Sequence, residues 1–188
     1  MKTIYYTASS LDGFIADENN SLDWLVRFGD GSGEFYDRFI ADIGAIVMGS
    51  TTYEWILTHH VHADADHPKP WAYEQPTWVF STRELPGVDG ADIRFARGDV
   101  ATVHAEMAEM AAGKNVWIVG GGDLAGQFHE HHLLDELILA YAPLTLGAGA
   151  PLLPRRISEP PMRLADVRQD GPFAMLTYAV TARVTPQA

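Results

Sequence analysis

At 188 residues, 47% of them hydrophobic and 20% charged, the chain has the size and balance of one globular domain, able to bury roughly 70% of its unfolded surface. A formal net charge of -12, from 25 acidic and 13 basic side chains, speaks against a general nucleic-acid binder, which wants a basic stripe. There is no cysteine, so disulfides, thiolate metal sites and cysteine nucleophiles are excluded.

The opening residues, MKTIYYTASSLDGF, lack the apolar stretch of a signal peptide, and no apolar run reaches membrane-spanning length, so a soluble cytoplasmic protein is expected. TIYYTASS, Thr3 to Ser10, is rich in β-branched and aromatic residues and predicts a strand. The Gly, Asp and Asn signals of LDGFIADENNSLDWL predict a loop with a short extended piece at Phe14 and Ile15. Glu34 to Asp42 predicts a helix with Phe35, Phe39 and Ile40 on one side, and AIVMG a buried strand ended by Gly49. Thr51 with Glu54 three residues on matches a capping box, so a helix is expected to start there. Residues 58–76, with several His, Asp and Pro, read as an irregular loop.

TWVFSTR and ADIRFA predict two strands, and Asp99 caps a helix striped by Val100, Val103, Met107 and Met110, with Gly113 past its end. VWIV is a strand, Leu124 to His131 a helix and DELILAYAP a strand. MRLADVRQ and FAMLTYAVTARV, joined by DGP, read as a closing hairpin. Helices alternate with strands until that strand-only end. The pattern is a single α/β domain over residues 1–188, with a mostly parallel sheet and an antiparallel C-terminal edge.

The stretch NVWIVGGGDLAGQF carries the strongest chemical signal. A strand running through Gly120, Gly121 and Gly122 into a helix sets free N–H groups and the positive helix end where an anion can approach the main chain. A tight turn needing positive φ is the plainer explanation, though one glycine would serve for that. Gly120-x-Gly122-x-x-Ala125 also fits the Rossmann fingerprint, but that unit needs an acid at the end of the next strand, and LILAYAP offers none. Two further strand ends offer donors: IVMGSTTYEWI, with Gly49, Ser50, Thr51 and Thr52, and WVFSTREL, with Ser81, Thr82 and Arg83. Taken singly they are a capped helix and a solvated turn. Together they suit one dinucleotide lying across a sheet edge.

The anchors SLDGFIA, IVMGSTTYE, VFSTR, WIVGGGDLAGQF and LTLGAGAPLLP, in this order, make the chain resemble the dihydrofolate reductase-like superfamily. The branch is that of the reductase domain of the bifunctional riboflavin-biosynthesis deaminase-reductase. The resemblance implies a three-layer fold, NADPH as cofactor, a small-molecule substrate and a homodimer, with FAMLTYAV as material for the interface. By the same resemblance Gly49, Ser50, Thr51 and Thr52 hold the phosphate backbone, and Ser81, Thr82 and Arg83 surround the adenosine 2′-phosphate. Gly120, Gly121 and Gly122 underlie the pyrophosphate and nicotinamide ribose, with Leu124 and Ala125 in the following helix start. It also implies a cis peptide at Gly120–Gly121. Two departures stand out: without cysteines there is no zinc deaminase half, and YEWILTHHVHADADHPKPWAYEQP lacks the Asp-Pro-x-Leu-x-x-Arg segment that holds the riboflavin precursor's ribose phosphate.

The implied reaction is hydride transfer to a C=N or C=O of a small heterocyclic or ribosylamino substrate. Asp12, beside the expected nicotinamide position, is either a proton donor or a turn residue. Glu34 is either the substrate-binding carboxylate or a solvated helix-start acid. Trp24 and Phe35 either flank a planar heterocycle or pack in the core. Two alternatives remain: a module that binds NADPH without turnover, and a metal protein built on His59, His60, His62, Asp64, Asp66 and His67 or on His129, His131 and His132.

Overall fold

The computed structural model describes residues 1–29 and 33–180. Its centre is an eight-stranded sheet in the order β5-β4-β3-β6-β1-β7-β10-β9. The strands are β1 (Thr3–Ser9), β3 (Ile43–Gly49), β4 (Thr77–Phe80), β5 (Ile93–Ala96), β6 (Asn115–Gly120), β7 (Glu136–Tyr141), β9 (Arg163–Asp170) and β10 (Phe173–Ala179). The six from β5 to β7 are parallel, while β10 runs antiparallel to both β7 and β9. A small antiparallel ribbon joins β2 (Phe14–Ala16) to β8 (Ala150–Pro151).

Each central strand is apolar on both faces, because both faces are covered. Along β3, Ile46 and Met48 join one core cluster and Ala45 and Val47 the other; in β6, Trp117 goes one way and Val116 and Ile118 the other. The first cluster takes Phe39 of α2 (Glu34–Ala41) and Tyr53 and Ile56 of α3 (Ser50–Ile56). The second takes Val100 and Met107 of α4 (Val100–Met110) and Ala125 and Phe128 of α5 (Gly122–Glu130). This is the helix–sheet–helix arrangement that parallel strands with near-continuous apolar runs require.

Local chemistry sets several boundaries. Asp99 Oδ1 accepts from Ala101 N at 2.8 Å and so starts α4. Gly171, at φ +54, opens the two-residue loop between β9 and β10, a conformation glycine adopts without penalty. The continuation of the last strand to Val184 lies outside the described residues.

Four expectations change. The N-cap of α3 is Gly49, without a side-chain cap, so there is no capping box at Thr51: Thr51 lies inside the first turn, and the Glu54 carboxylate is taken by Arg83. The segment after α3 is not irregular at its start, since Leu57–Val61 continues it as a π turn that buries Leu57 and Val61. A short helix, α1 (Asp23–Val26), occupies part of the expected loop and buries Trp24. Met110, expected on the buried stripe of α4, is 41% exposed at the helix end, where Ala111 takes the inner position instead.

Candidate functional site

Six parallel strands end on one side of the sheet, and the chain's own topology opens a crevice there. Strands β3 and β6 are neighbours, yet β3 leads into α3 on one face and β6 into α5 on the other. Ligands of open α/β sheets lie at such a divergence, outside the carboxyl ends of the strands. The register places Gly49 beside Phe80 and Met48 beside Gly120, so the loops after β4, β3 and β6 stand in a row along the rim.

The three consecutive glycines have three separate causes. A Cβ on Gly120 would lie 2.5 Å from Oγ1 of Thr52, so the glycine lets α3 close on β6. Gly121 takes φ +101 as the N-cap of α5. A Cβ on Gly122 would lie 2.3 Å from the Pro151 carbonyl and 2.5 Å from that of Leu152. At 120 and 122 the bare backbone therefore makes room for the protein's own atoms. Gly49, at the end of β3, differs from these two: a Cβ there would meet nothing within 4 Å. The chain turns through Gly121 rather than through a cis bond at Gly120–Gly121: the cis peptide among the described residues is Glu159–Pro160.

Neither α3 nor α5 has a side-chain N-cap among the described residues, so first-turn N–H groups of both face the rim. Leu124 and Ala125 are buried in the second core cluster, and the Ala125 N–H is taken by the Gly121 carbonyl at 3.0 Å. Thr51 is exposed, while Thr52 turns toward Gly120.

Beside Gly49 the donors converge. Arg83 donates from Nη1 to Glu54 Oε1 at 2.8 Å, and from Nη2 to Glu54 Oε2 at 2.5 Å and to Ser50 Oγ at 3.3 Å. The carboxylate holds the guanidinium above its ordinary pKa. The Ser81 hydroxyl accepts from Arg83 N at 2.9 Å and donates to its carbonyl at 3.0 Å, which fixes the turn; Thr82 is exposed beside it. Ser50, Ser81 and Arg83 are thus brought together, with Glu54 as a member sequence reasoning missed. Its signal was present, for Glu54 lies four residues after Ser50 and so on the same helix face.

Asp12 lies farther along the rim, just past β1. Its carboxylate accepts from Ser10 Oγ at 2.6 Å, Leu146 N at 3.0 Å and Gly147 N at 2.7 Å. The Ser10 hydroxyl first, then the two amides, hold its pKa down at about 2. It is an anion at neutral pH and anchors the loop before β8. Glu34 is exposed and pairs with Arg38 of its own helix at 3.3 Å. Phe35 packs edge-on against Tyr6 and lies under the Arg168 guanidinium at 4.0 Å. Trp24 is 4% exposed, and its indole N–H has no hydrogen-bond partner among the described residues.

The RibD C-terminal domain profile matches residues 55–176, from α3 through β10. The chain belongs to that family. It is 30% identical over 177 residues, 94% of its own length and 97% of the other's, to the uncharacterized protein YwjB of Bacillus subtilis. A solved structure described as a riboflavin biosynthesis protein of Shewanella sp. PV-4 superposes with a TM-score of 0.76 at 26% identity, covering 95% of this chain and 98% of that one. Dihydrofolate reductase from Enterococcus faecalis, complexed with NADP(H) and RAB-propyl, shares the fold with a TM-score of 0.60 at 16% identity, covering 95% of each chain.

In this RibD C-terminal domain the histidines scatter. His59 stacks on Trp55 and His131 pairs with Asp99 at 3.1 Å, and among the described residues no group of three or more His, Asp or Glu is placed to hold a metal ion. No helix among them is long and apolar enough to cross a membrane.

Proposed function

We propose that the chain is an NADPH-dependent reductase that delivers hydride to a C=N or C=O of a small heterocyclic or ribosylamino substrate. The observation that carries this reading is the row of loops after β4, β3 and β6 at the point where α3 and α5 diverge. The residues fit the cofactor: open main chain at Gly49, two uncapped helix starts, and hydroxyls and a guanidinium at Ser50, Ser81, Thr82 and Arg83. The cofactor, when bound, supplies the hydride.

The chain's own residues position and enclose. Main-chain N–H groups at Gly49, Ser50, Thr51 and Thr52 and at Gly121, Gly122 and Leu124 serve the diphosphate, Ala125 closes the first turn of α5 by donating its N–H to the Gly121 carbonyl at 3.0 Å, and Arg83 with Ser81 and Thr82 serves the 2′-phosphate. Asp12, ionised, holds the 144–149 loop against the rim; it acts by position and gives no proton. Glu34 enters as a surface carboxylate near the substrate's approach, tested by Glu34→Gln, which would raise KM and leave kcat unchanged. The reading also makes the protein cytoplasmic and a homodimer. Leu164 and Val167, 49% and 58% exposed on the edge strand beside β10, support the dimer, which sedimentation would reveal.

The test is to add the purified protein to NADPH and titrate pterin, flavin-precursor and carbonyl substrates. Oxidation with any of them supports the reductase. Fluorescence quenching without turnover across the panel would reduce the protein to a binding module.

A further inference from the structure

The cation assigned to the 2′-phosphate is not free. Both terminal nitrogens of Arg83 meet Glu54, one on each carboxylate oxygen, and Nη2 also reaches Ser50 Oγ. This fork-on-fork pairing is the geometry by which a guanidinium takes a phosphate, so Glu54 occupies the contact a 2′-phosphate would use. The pair joins the loop after β4 to the second turn of α3, and both partners remain part-exposed, so a ligand can reach it. A carboxylate beside the adenosine ribose acts in two ways. It repels a phosphate dianion, and it accepts a hydrogen bond from a 2′-hydroxyl, the arrangement that favours NADH.

We propose that Glu54 sets coenzyme choice by competing with the 2′-phosphate for Arg83, so that the wild-type chain's preference for NADPH is narrowed and NADH is accepted as well. This rests on the reductase reading of the rim. Glu54 is a specificity-determining residue that acts through Arg83 and away from the reacting carbon.

The experiment is calorimetric titration of wild type, Glu54→Gln and Arg83→Ala with NADPH and with NADH at matched ionic strength. Wild type should bind the two coenzymes within about tenfold of each other. Glu54→Gln should tighten NADPH about fivefold and leave NADH unchanged or weaker, while Arg83→Ala should weaken NADPH alone. Damage to the fold would move both coenzymes together, so the ratio isolates the role. An unchanged ratio in Glu54→Gln overturns the proposal, as does selective loss of NADPH, which would mean that Glu54 presents Arg83 rather than competing for it. Absence of heat from either coenzyme with wild type would instead bring down the reductase reading itself, and this proposal with it.

Discussion

Thr52 and Gly120 meet where α3 closes on β6: a Cβ on Gly120 would stand 2.5 Å from Thr52 Oγ1 and 3.3 Å from its Cγ2. The contact holds the loop after β3 against the loop after β6, and the crevice depends on it. Gly120→Ala should therefore destabilise the chain by about 1–3 kcal/mol through overpacking, and Thr52→Ala in the same molecule should restore much of the loss. Thermal unfolding of the two single variants and the double variant checks this. Simple additivity would show that the contact carries no strain.

Gly49 separates ligand space from packing. It sits at φ -81 and ψ 163, open to any residue, and a Cβ there touches nothing within 4 Å. Gly49→Ala should cost about 1 kcal/mol or less in stability, as an N-cap change, yet weaken NADPH binding at least about tenfold by pushing the diphosphate off the main chain. Gly122→Ala should do the reverse at the level of folding, because the carbonyls of Pro151 and Leu152 leave its Cβ no room. Its expected loss is about 3 kcal/mol or more, read by denaturant unfolding.

Asp12 keeps its charge through the neutral range, its pKa held at about 2. Its contribution to stability is present above the ordinary carboxylate range and is lost as pH falls from there toward 2. Asp12→Asn should lower kcat/KM by loosening the loop at Leu146 and Gly147, while leaving every limb of the pH–rate profile above about pH 5 in place. A limb that disappears with the substitution would make Asp12 the proton donor after all.

His104, half-buried against Phe128 with Nε2 2.8 Å from Thr3 Oγ1, is pushed below its ordinary pKa by burial, against the pull of Asp135. The folded state thus prefers the neutral ring. Its contribution is complete above roughly pH 6.5 and shrinks as pH falls, because the unfolded chain takes up the proton first. His104→Gln should flatten the decline in melting temperature as pH falls below about 6.5. An unaltered slope would assign that decline to other groups.

What could be read in the sequence was what neighbours in the chain determine. Asp99 and the Val100–Met107 stripe fixed α4, and DGP fixed the β9–β10 hairpin, because caps and two-residue loops are local chemistry. The rim loops were legible for the same reason, each being a strand end rich in glycine or hydroxyls. The reason for the glycines was not. A bare backbone gives the same signal whether a ligand or the protein's own atoms lie against it, and Gly122 meets Pro151 and Leu152 only through the ribbon of β2 and β8. Nor could Glu54 be assigned to Arg83, 29 residues on, before the sheet order put β4 beside β3.

The most direct measurement is an amide NMR titration of the isotope-labelled protein with NADPH. The resonances of Gly49, Ser50, Gly121, Gly122 and Arg83 should move together and saturate with one dissociation constant. Shifts confined to the opposite end of the sheet, around Lys2, Asp42 and Asn115, or no shifts at millimolar coenzyme, would contradict the account.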